Sequence, residues 1–307
     1  MTDEAHIGRE TPAGLMQAPL GHPRLHLRVT DSTNDRARAL ALAGAPHGTL
    51  VTAAEQTAGR GRQGRRWSAP AGQALLCSLV LRAGHIWESA GLDRAGSPID
   101  EREGKGRTTL LVDVGGNPSH TAPQPIEEST GLPPLLSLIA AVAVCDVVGE
   151  QAMVKWPNDI VIVRAWEDTA SPGLAKLAGI LVESRPQEGW AVLGIGLNVA
   201  VRLDELPADV RAGAATMGES LAAIEPALAR LLGVLERRLG EPAESVLDAY
   251  RARDALRGRD VAWGPPGPQG RIGSGRAEGI DGRGRLLVTL DEGGSIALDA
   301  GEVHLRL

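Results

Sequence analysis

Between Ala58 and Trp67 the chain reads AGRGRQGRRW, with four arginines and three glycines in ten residues. Glycines let successive backbone N–H groups turn into one concavity, and such concavities bind anions. The guanidinium forks of Arg60, Arg62 and Arg65 match phosphate and carboxylate oxygens. Strand-like apolar runs, GTLVTAAEQ and ALLCSLVLR, flank the segment. It therefore reads as a loop inside a folded domain that can order over a ligand and exclude water. The competing reading of the same residues is an arginine–glycine tract for RNA, or a solvated turn.

A second group lies in VKWPND, Val154 to Asp159. Lys155 follows apolar Met153 and Val154 and precedes Trp156 and a tight turn. A lysine so placed can aim a compact charge at a carboxylate or phosphate, or be a surface charge on a hairpin. Asn158 and Asp159 read as turn formers. Ser32, Thr33 and Asn34 can each cap a helix, and donors at a helix N-terminus also suit a polar ligand group. Gln56 ends a strand just before the basic loop. GIGLN, Gly194 to Asn198, places glycines where a ligand or another backbone approaches closely. GxGxxG with its helix, the Walker A motif, the GxSxG elbow and kinase signatures are all absent. The residues alone point to an anion-binding enzyme without those familiar phosphate loops.

The remaining composition bounds the setting. The 307 residues carry a net charge of −6, which argues against general nucleic-acid binding. Hydrophobic residues make up 43% and aromatics only 2%, so leucine, valine, isoleucine and alanine must fill a sizeable core. Cys77 and Cys145 stand alone in apolar runs and read as buried thiols of a reducing compartment. The seven histidines show no HExxH spacing, so no built-in zinc site is expected. The acidic N-terminus has no apolar signal segment. The longest apolar run, Leu135 to Val148, is broken by Asp146 and is too short to cross a bilayer. A soluble cytoplasmic protein is expected.

Elements that must position these groups follow from periodicity. Residues 1–22 read as a loose extension. RLHLRVT alternates as a strand, and DSTNDRARALALAGAPHG reads as a helix left at Gly44. From about Ala83 to Leu132 periodicity fades except at TTLLVDV, as in a long surface insertion. PPLLSLIAAVAVCDVVGE reads as a buried helix, and AMVKWPNDIVIV as a hairpin. KLAGILVES and WAVLGIGLNVAV are further strands. ESLAAIEPALARLLGVLERRLG and PAESVLDAYRARDALRG are amphipathic helices. DVAW, GRAEGID, RLLVTLDEGG and SIALDAGEVHL read as short strands of a small C-terminal all-β unit.

Taken in order, DSTN, EQTAGRGRQGRRW, LLSL, KWPNDI, KLAGILVE and GIGLNV resemble the catalytic domain of biotin–protein ligases, from about Arg24 to Tyr250. The resemblance implies an α+β fold: a mixed sheet with packed helices, class II synthetase-like, over 23–255, and an SH3-like β-barrel over 256–307. It implies two half-reactions. Biotin and ATP, with Mg²⁺, give biotinyl-5′-adenylate and pyrophosphate. The adenylate then passes biotin to a lysine of a biotin carboxyl carrier domain of acetyl-CoA or a related carboxylase. Keeping that adenylate from water suits a closing loop.

By motif, Ser32, Thr33, Asn34 and Gln56 would hold biotin's polar head. Arg60, Gly61 and Arg62 would cover biotin and the adenylate phosphate. Arg65 and Trp67 would support the nucleotide, with Lys176 and Asn198 as further nucleotide or metal contacts. Lys155 would hold the carboxylate and, with Arg62, stabilise charge during acyl transfer. The catalytic strand starts near Arg24, so no DNA-binding module and no DNA partner are expected. The insertion at 83–132 and a shorter one at about Ala165 to Ala175 exceed what the family pattern needs and leave oligomeric state open. A lipoate or octanoate ligase of the same superfamily is the alternative.

Overall fold

The computed structural model describes residues 19–82, 135–164, 173–264, 273–299 and 302–305. Seven strands form the larger sheet: β1 (Arg24–Thr30), β2 (Leu50–Gln56), β3 (Leu75–Arg82), β4 (Ala152–Lys155), β5 (Asp159–Arg164), β6 (Gly173–Arg185) and β7 (Trp190–Leu197). Their order is β1-β2-β3-β7-β6-β5-β4. Helix α1 (Thr33–Leu42) carries the chain back between β1 and β2, so these two run parallel. The other pairings in this sheet are antiparallel.

Side-chain alternation sends each strand to two faces. On β3, Cys77, Leu79 and Leu81 enter the main core, whereas Val80 packs with Ala37 and Ala41 of α1. Helix α2 (Leu136–Val148) is buried from Leu138 to Cys145, because its only polar residue before Asp146 is Ser137. Helix α3 (Ile224–Leu239) turns Ala227, Leu228, Leu231 and Leu235 inward at helical spacing. Helix α4 (Ala243–Arg251) does the same with Val246, Leu247 and Tyr250. Removing one such fully buried leucine would cost about 2–5 kcal/mol.

The small C-terminal unit is a five-stranded antiparallel sheet, ordered β11-β10-β9-β8-β12. Its strands are β8 (Asp260–Gly264), β9 (Gly273–Ile280), β10 (Leu286–Leu290), β11 (Ser295–Leu298) and β12 (Glu302–Leu305). SIALDAGEVHL is thus two strands on opposite sides of the sheet. Ala277, Leu286, Val288 and Val303 share one core cluster with α2 and the larger sheet. The turn at Gly284 seats directly on α2: with φ +76°, a Cβ there would lie 2.6 Å from Leu138 Cδ1. Trp156 Nε1–H donates to the Gly284 carbonyl at 3.0 Å, tying the hairpin to this second sheet.

Some expectations change. Leu20, assigned by sequence to the loose extension, is buried in the main core, and Gly21 N–H donates to Gly48 O at 2.9 Å. One leucine in a Pro/Gly-rich run carries no periodicity, so its anchoring is invisible in sequence. Gly173 to Ala175, placed in the shorter insertion, open strand β6. The insertion at 83–132, TTLLVDV included, and residues 1–18 lie outside the described residues. Cys77 and Cys145 are free and buried, and burial pushes each thiol up to about 12. Among the described residues no helix is long and apolar enough to cross a membrane.

Candidate functional site

Strand register lines up one residue from each of six strands. The row reads Lys155 on β4, Asp159 on β5, Gly179 on β6, Gly196 on β7, Leu76 on β3 and Ala53 on β2. Directly opposed residues share a face, so two adjacent glycines open a trough in the middle of the sheet. The indole of Trp67 lies in it. A Cβ on Gly196 would fall 2.5 Å from Trp67 Cε2, and one on Gly179 3.1 Å from Cζ3. The next row runs Leu181, Gly194, Ser78 and Val51. There Gly194 makes room for the Asn34 amide, whose Oδ1 occupies the space a Cβ would need.

The basic loop is a tight hairpin over this floor. Gly61 N–H donates to Arg65 O at 2.8 Å and Trp67 N–H to Gly59 O at 3.0 Å. Gln63 turns the corner at φ +53°. Arg62 is drawn to the VKWPND turn, where its Nη1–H meets Asn158 Oδ1 at 3.3 Å. Asn158 Nδ2–H in turn donates to Ile180 O at 2.7 Å, fixing the turn to β6.

A cleft of about 930 Å³, open mouth included, lies between loop, trough and turn. At one end sit uncharged polar groups from the start of α1 and the end of β2. Thr33 N–H and Oγ1–H point to Gln56 Oε1 at 2.7 and 3.1 Å. Ser78 Oγ reaches Asn34 Oδ1 at 2.6 Å and Thr33 Oγ1 at 2.8 Å. With Gln56 Oε1 occupied, its NH₂ makes no hydrogen bond to the described residues. Ser32 holds the N-cap position of α1, yet its hydroxyl makes no cap bond and lines the cleft. These side chains do more than start a helix: they present donors and acceptors to the cavity.

The other end is cationic. Lys155, Lys176, Arg62 and Arg65 line it around one carboxylate, Asp159. Lys176 Nζ lies 2.7 Å from Asp159 Oδ1 and 5.6 Å from the Trp67 ring centroid. The Lys155 ammonium forms no hydrogen bond or ion pair with the described residues. Burial lowers its pKa, against the pull of Asp159 and with the push of Lys176 and Arg65. Burial also lowers Arg62, opposed by Asp159. Arg253 and Ala255 hold β4 from outside: Val154 N–H donates to Arg253 O at 2.7 Å, and Ala255 N–H to Val154 O at 2.9 Å. Two half-buried cations whose charged forms burial disfavours suit an anionic guest.

Of the sequence candidates, Ser32, Thr33, Asn34, Gln56, Arg60, Gly61, Arg62, Arg65, Trp67, Lys155 and Lys176 all line the cleft. Arg60 is engaged at its rim, 2.7 Å from Asp35 and 3.1 Å from Glu183. Asn198 is not among the lining residues; it is buried, with Nδ2–H donating to Ala215 O at 2.9 Å. Asn158 and Asp159, read as turn formers, both face the cleft. The hairpin register, which sets Asp159 against Lys155, was the signal for them. Ser78 and Glu183 gave no sequence signal, being single polar residues in apolar runs. Nor did β12, whose Val303 lines the cleft. Beside it the His304 pKa is lowered by burial first and then by Lys155 and Arg65.

The fold and cleft define a small-molecule site with a neutral polar head end and an anion end beneath a basic loop. A model described as the biotin/lipoate A/B protein ligase family matches residues 26–88, and the biotin protein ligase C-terminal domain matches residues 267–306. The biotin–[acetyl-CoA-carboxylase] ligase of Mycobacterium tuberculosis is 33% identical over 290 residues, covering 90% of this chain and 87% of that protein. The bifunctional ligase/repressor BirA of Bacillus subtilis is 29% identical over 214 residues, 67% of this chain and 50% of that protein. The chain thus spans about half the length of such bifunctional relatives. A biotin protein ligase from Aquifex aeolicus, solved with biotin and ATP, shares the fold: TM-score 0.60, 23% identity, 92% of this chain and 98% of that one. The chain belongs to the biotin protein ligase family.

Proposed function

We propose that this chain activates biotin with ATP to biotinyl-5′-adenylate and transfers the biotinyl group to a lysine of a biotin carboxyl carrier domain. The observation that carries the reading is the split polarity of the cleft. Ser32, Thr33 and Gln56 suit a ureido head, which both donates and accepts. Lys155 and Arg62 suit the carboxylate and the α-phosphate it attacks. In the first step a carboxylate oxygen bonds to the α-phosphorus and pyrophosphate leaves. In the second the carrier amine attacks the acyl carbon and AMP leaves. Lys155 holds the carboxylate and, with Arg62, stabilises charge that grows in both transition states. Arg65, Trp67 and Lys176 serve the nucleotide. The Gly/Arg loop limits access of water to the adenylate.

Mg²⁺, brought with ATP, would neutralise phosphate charge, and Asp159, the carboxylate lining the cleft, would be the protein group to meet it. Residues 23–255 form the catalytic unit and 256–307 a β unit that closes the cleft with β12. The working location is the cytoplasm. The test is biotin-dependent ATP–pyrophosphate exchange by the full chain, run beside lipoate and octanoate and titrated with Mg²⁺. Exchange with biotin and not with octanoate is expected, since a site built on hydrogen bonds rejects analogues that lack them. Equal exchange with octanoate would overturn the assignment.

A further inference from the structure

Glu183 stands on β6 directly opposite Val192 of β7, beside the cleft. Its two oxygens face different partners. Oε2 accepts from Asn34 Nδ2–H at 3.1 Å. Through Asn34 this reaches Ser78 and Thr33, the polar floor of the head end. Oε1 lies 3.1 Å from Nη1 of Arg60, on the basic loop. Asp35 of α1 joins from the other side, 2.7 Å from Arg60 Nη1 and 2.7 Å from Arg38 Nη2. Arg38 Nη1 comes within 3.8 Å of Glu183 Oε1 and closes the square. Two guanidinium groups and two carboxylates thus bridge strand, helix and loop. Two other loop contacts, Arg62 to Asn158 and Trp67 in its trough, fall on the far, cationic side.

We propose that Glu183 is a positioning residue that latches the Gly/Arg loop over the head end of the ligand, with Asp35 as the second half of the catch. The proposal rests on the ligand reading above for what lies beneath the loop, but the latch itself does not need it. One carboxylate fixes the Asn34 amide that shapes the floor and the Arg60 that anchors the lid. A ligand seated on that floor is therefore retained by the same group that holds the loop shut. The latch acts on ligand retention and leaves the chemistry at Lys155 untouched.

Glu183→Gln separates the two duties. Its amide oxygen still accepts from Asn34, while the charge that held Arg60 is gone and two arginines share Asp35. Trypsin reports on the latch without ligand, because Arg62, Arg65 and Arg66 sit in the loop. Glu183→Gln should raise the rate of nicking there about two- to fivefold at low salt, the scale of a partly exposed ion pair. The gain should vanish at high salt, where wild type loses the same pair. The KM for biotin should rise by a similar factor with kcat unchanged, and Arg60→Gln/Glu183→Gln should be no worse than Arg60→Gln alone. Asp35→Asn should nick like Glu183→Gln, which guards against a folding defect peculiar to β6, and thermal unfolding of each variant serves as control. Wild-type nicking in folded Glu183→Gln would overturn the latch. A fall in kcat with KM unchanged would overturn it too. Failure of wild type to bind biotin would instead overturn the ligand reading, and the nicking result would stand.

Discussion

Gly196→Ala and Gly179→Ala are the same chemical change at directly opposed residues under one indole, and the floor of the site predicts unequal outcomes. A methyl at Gly196 would meet Trp67 Cε2 at 2.5 Å, Nε1 at 2.8 Å and Cζ2 at 2.9 Å. Nonbonded carbons sit comfortably at about 3.5–4.0 Å, so the ring must lift by about 1 Å. At Gly179 the nearest ring atom is 3.1 Å away and the next contacts, 3.3 Å, are the end of the flexible Lys176 side chain. A shift of a few tenths of an ångström suffices there. Trp67 ends the basic loop, so lifting it moves the loop over the cleft. Misplacement on the order of 1 Å can cost about 10²-fold in rate. Gly196→Ala should lower biotin-dependent ATP–pyrophosphate exchange by about that factor, with stability reduced by at most about 1–3 kcal/mol, the range for overpacking. Gly179→Ala should stay within a few-fold of wild type. Exchange rates and thermal unfolding of both variants decide the matter. Equal activity in the two, or a normal Gly196→Ala enzyme, would refute the trough as the device that sets the indole.

Further outcomes follow from the charges. Lys155→Ala and Lys155→Arg should both fold yet lose about 10²–10³ in carrier biotinylation, because a planar guanidinium does not replace a compact ammonium in a packed site; near-normal rates in folded variants would remove Lys155 from the chemistry. Lys155→Met should be at least as stable as wild type, because it removes a half-buried ammonium whose charge burial disfavours. The sign can be checked against pH: burial lowers the Lys155 pKa, so between that value and the ordinary 10.5 the unfolded chain binds more protons and wild-type stability rises with pH. The difference in melting temperature from Lys155→Met should therefore shrink towards pH 10.5, and a constant difference would contradict it. Asp254 is the converse, its pKa raised chiefly by burial with Oδ2 unpartnered, so it destabilises the fold as pH rises above 3.8. Asp254→Asn keeps the acceptor for Leu256 N–H and should raise the melting temperature at neutral pH, with a smaller gain in acid.

Local signals in the sequence determined most of the elements and most of the candidate side chains. Alternation marked β1, apolar runs marked β2, β3, both arms of the VKWPND hairpin and α2, capping residues and Gly44 marked α1, and helical spacing marked α3 and α4, because these signals depend only on neighbours in the chain. The cluster of arginine and glycine marked the basic loop for the same reason. GIGLN marked Gly194 and Gly196 as places of close approach, but what approaches them, and that Gly179 joins them, was decided only by register. Gly179 and Gly196 lie far apart in sequence and become one trough because β6 and β7 pair at that residue. Register also turned Asp159 from a turn former into the partner of Lys155's row. Ser78, Glu183 and Val303 join the site through contacts between elements separated by long stretches of chain, which no local period can encode. Leu20 is held by packing against a core assembled from later strands and helices. Asn198 runs the other way: its motif suggested a ligand contact, but the packed fold uses its amide to satisfy a buried carbonyl. A buried polar group must find a partner, and only the tertiary structure determines whether that partner is backbone or ligand.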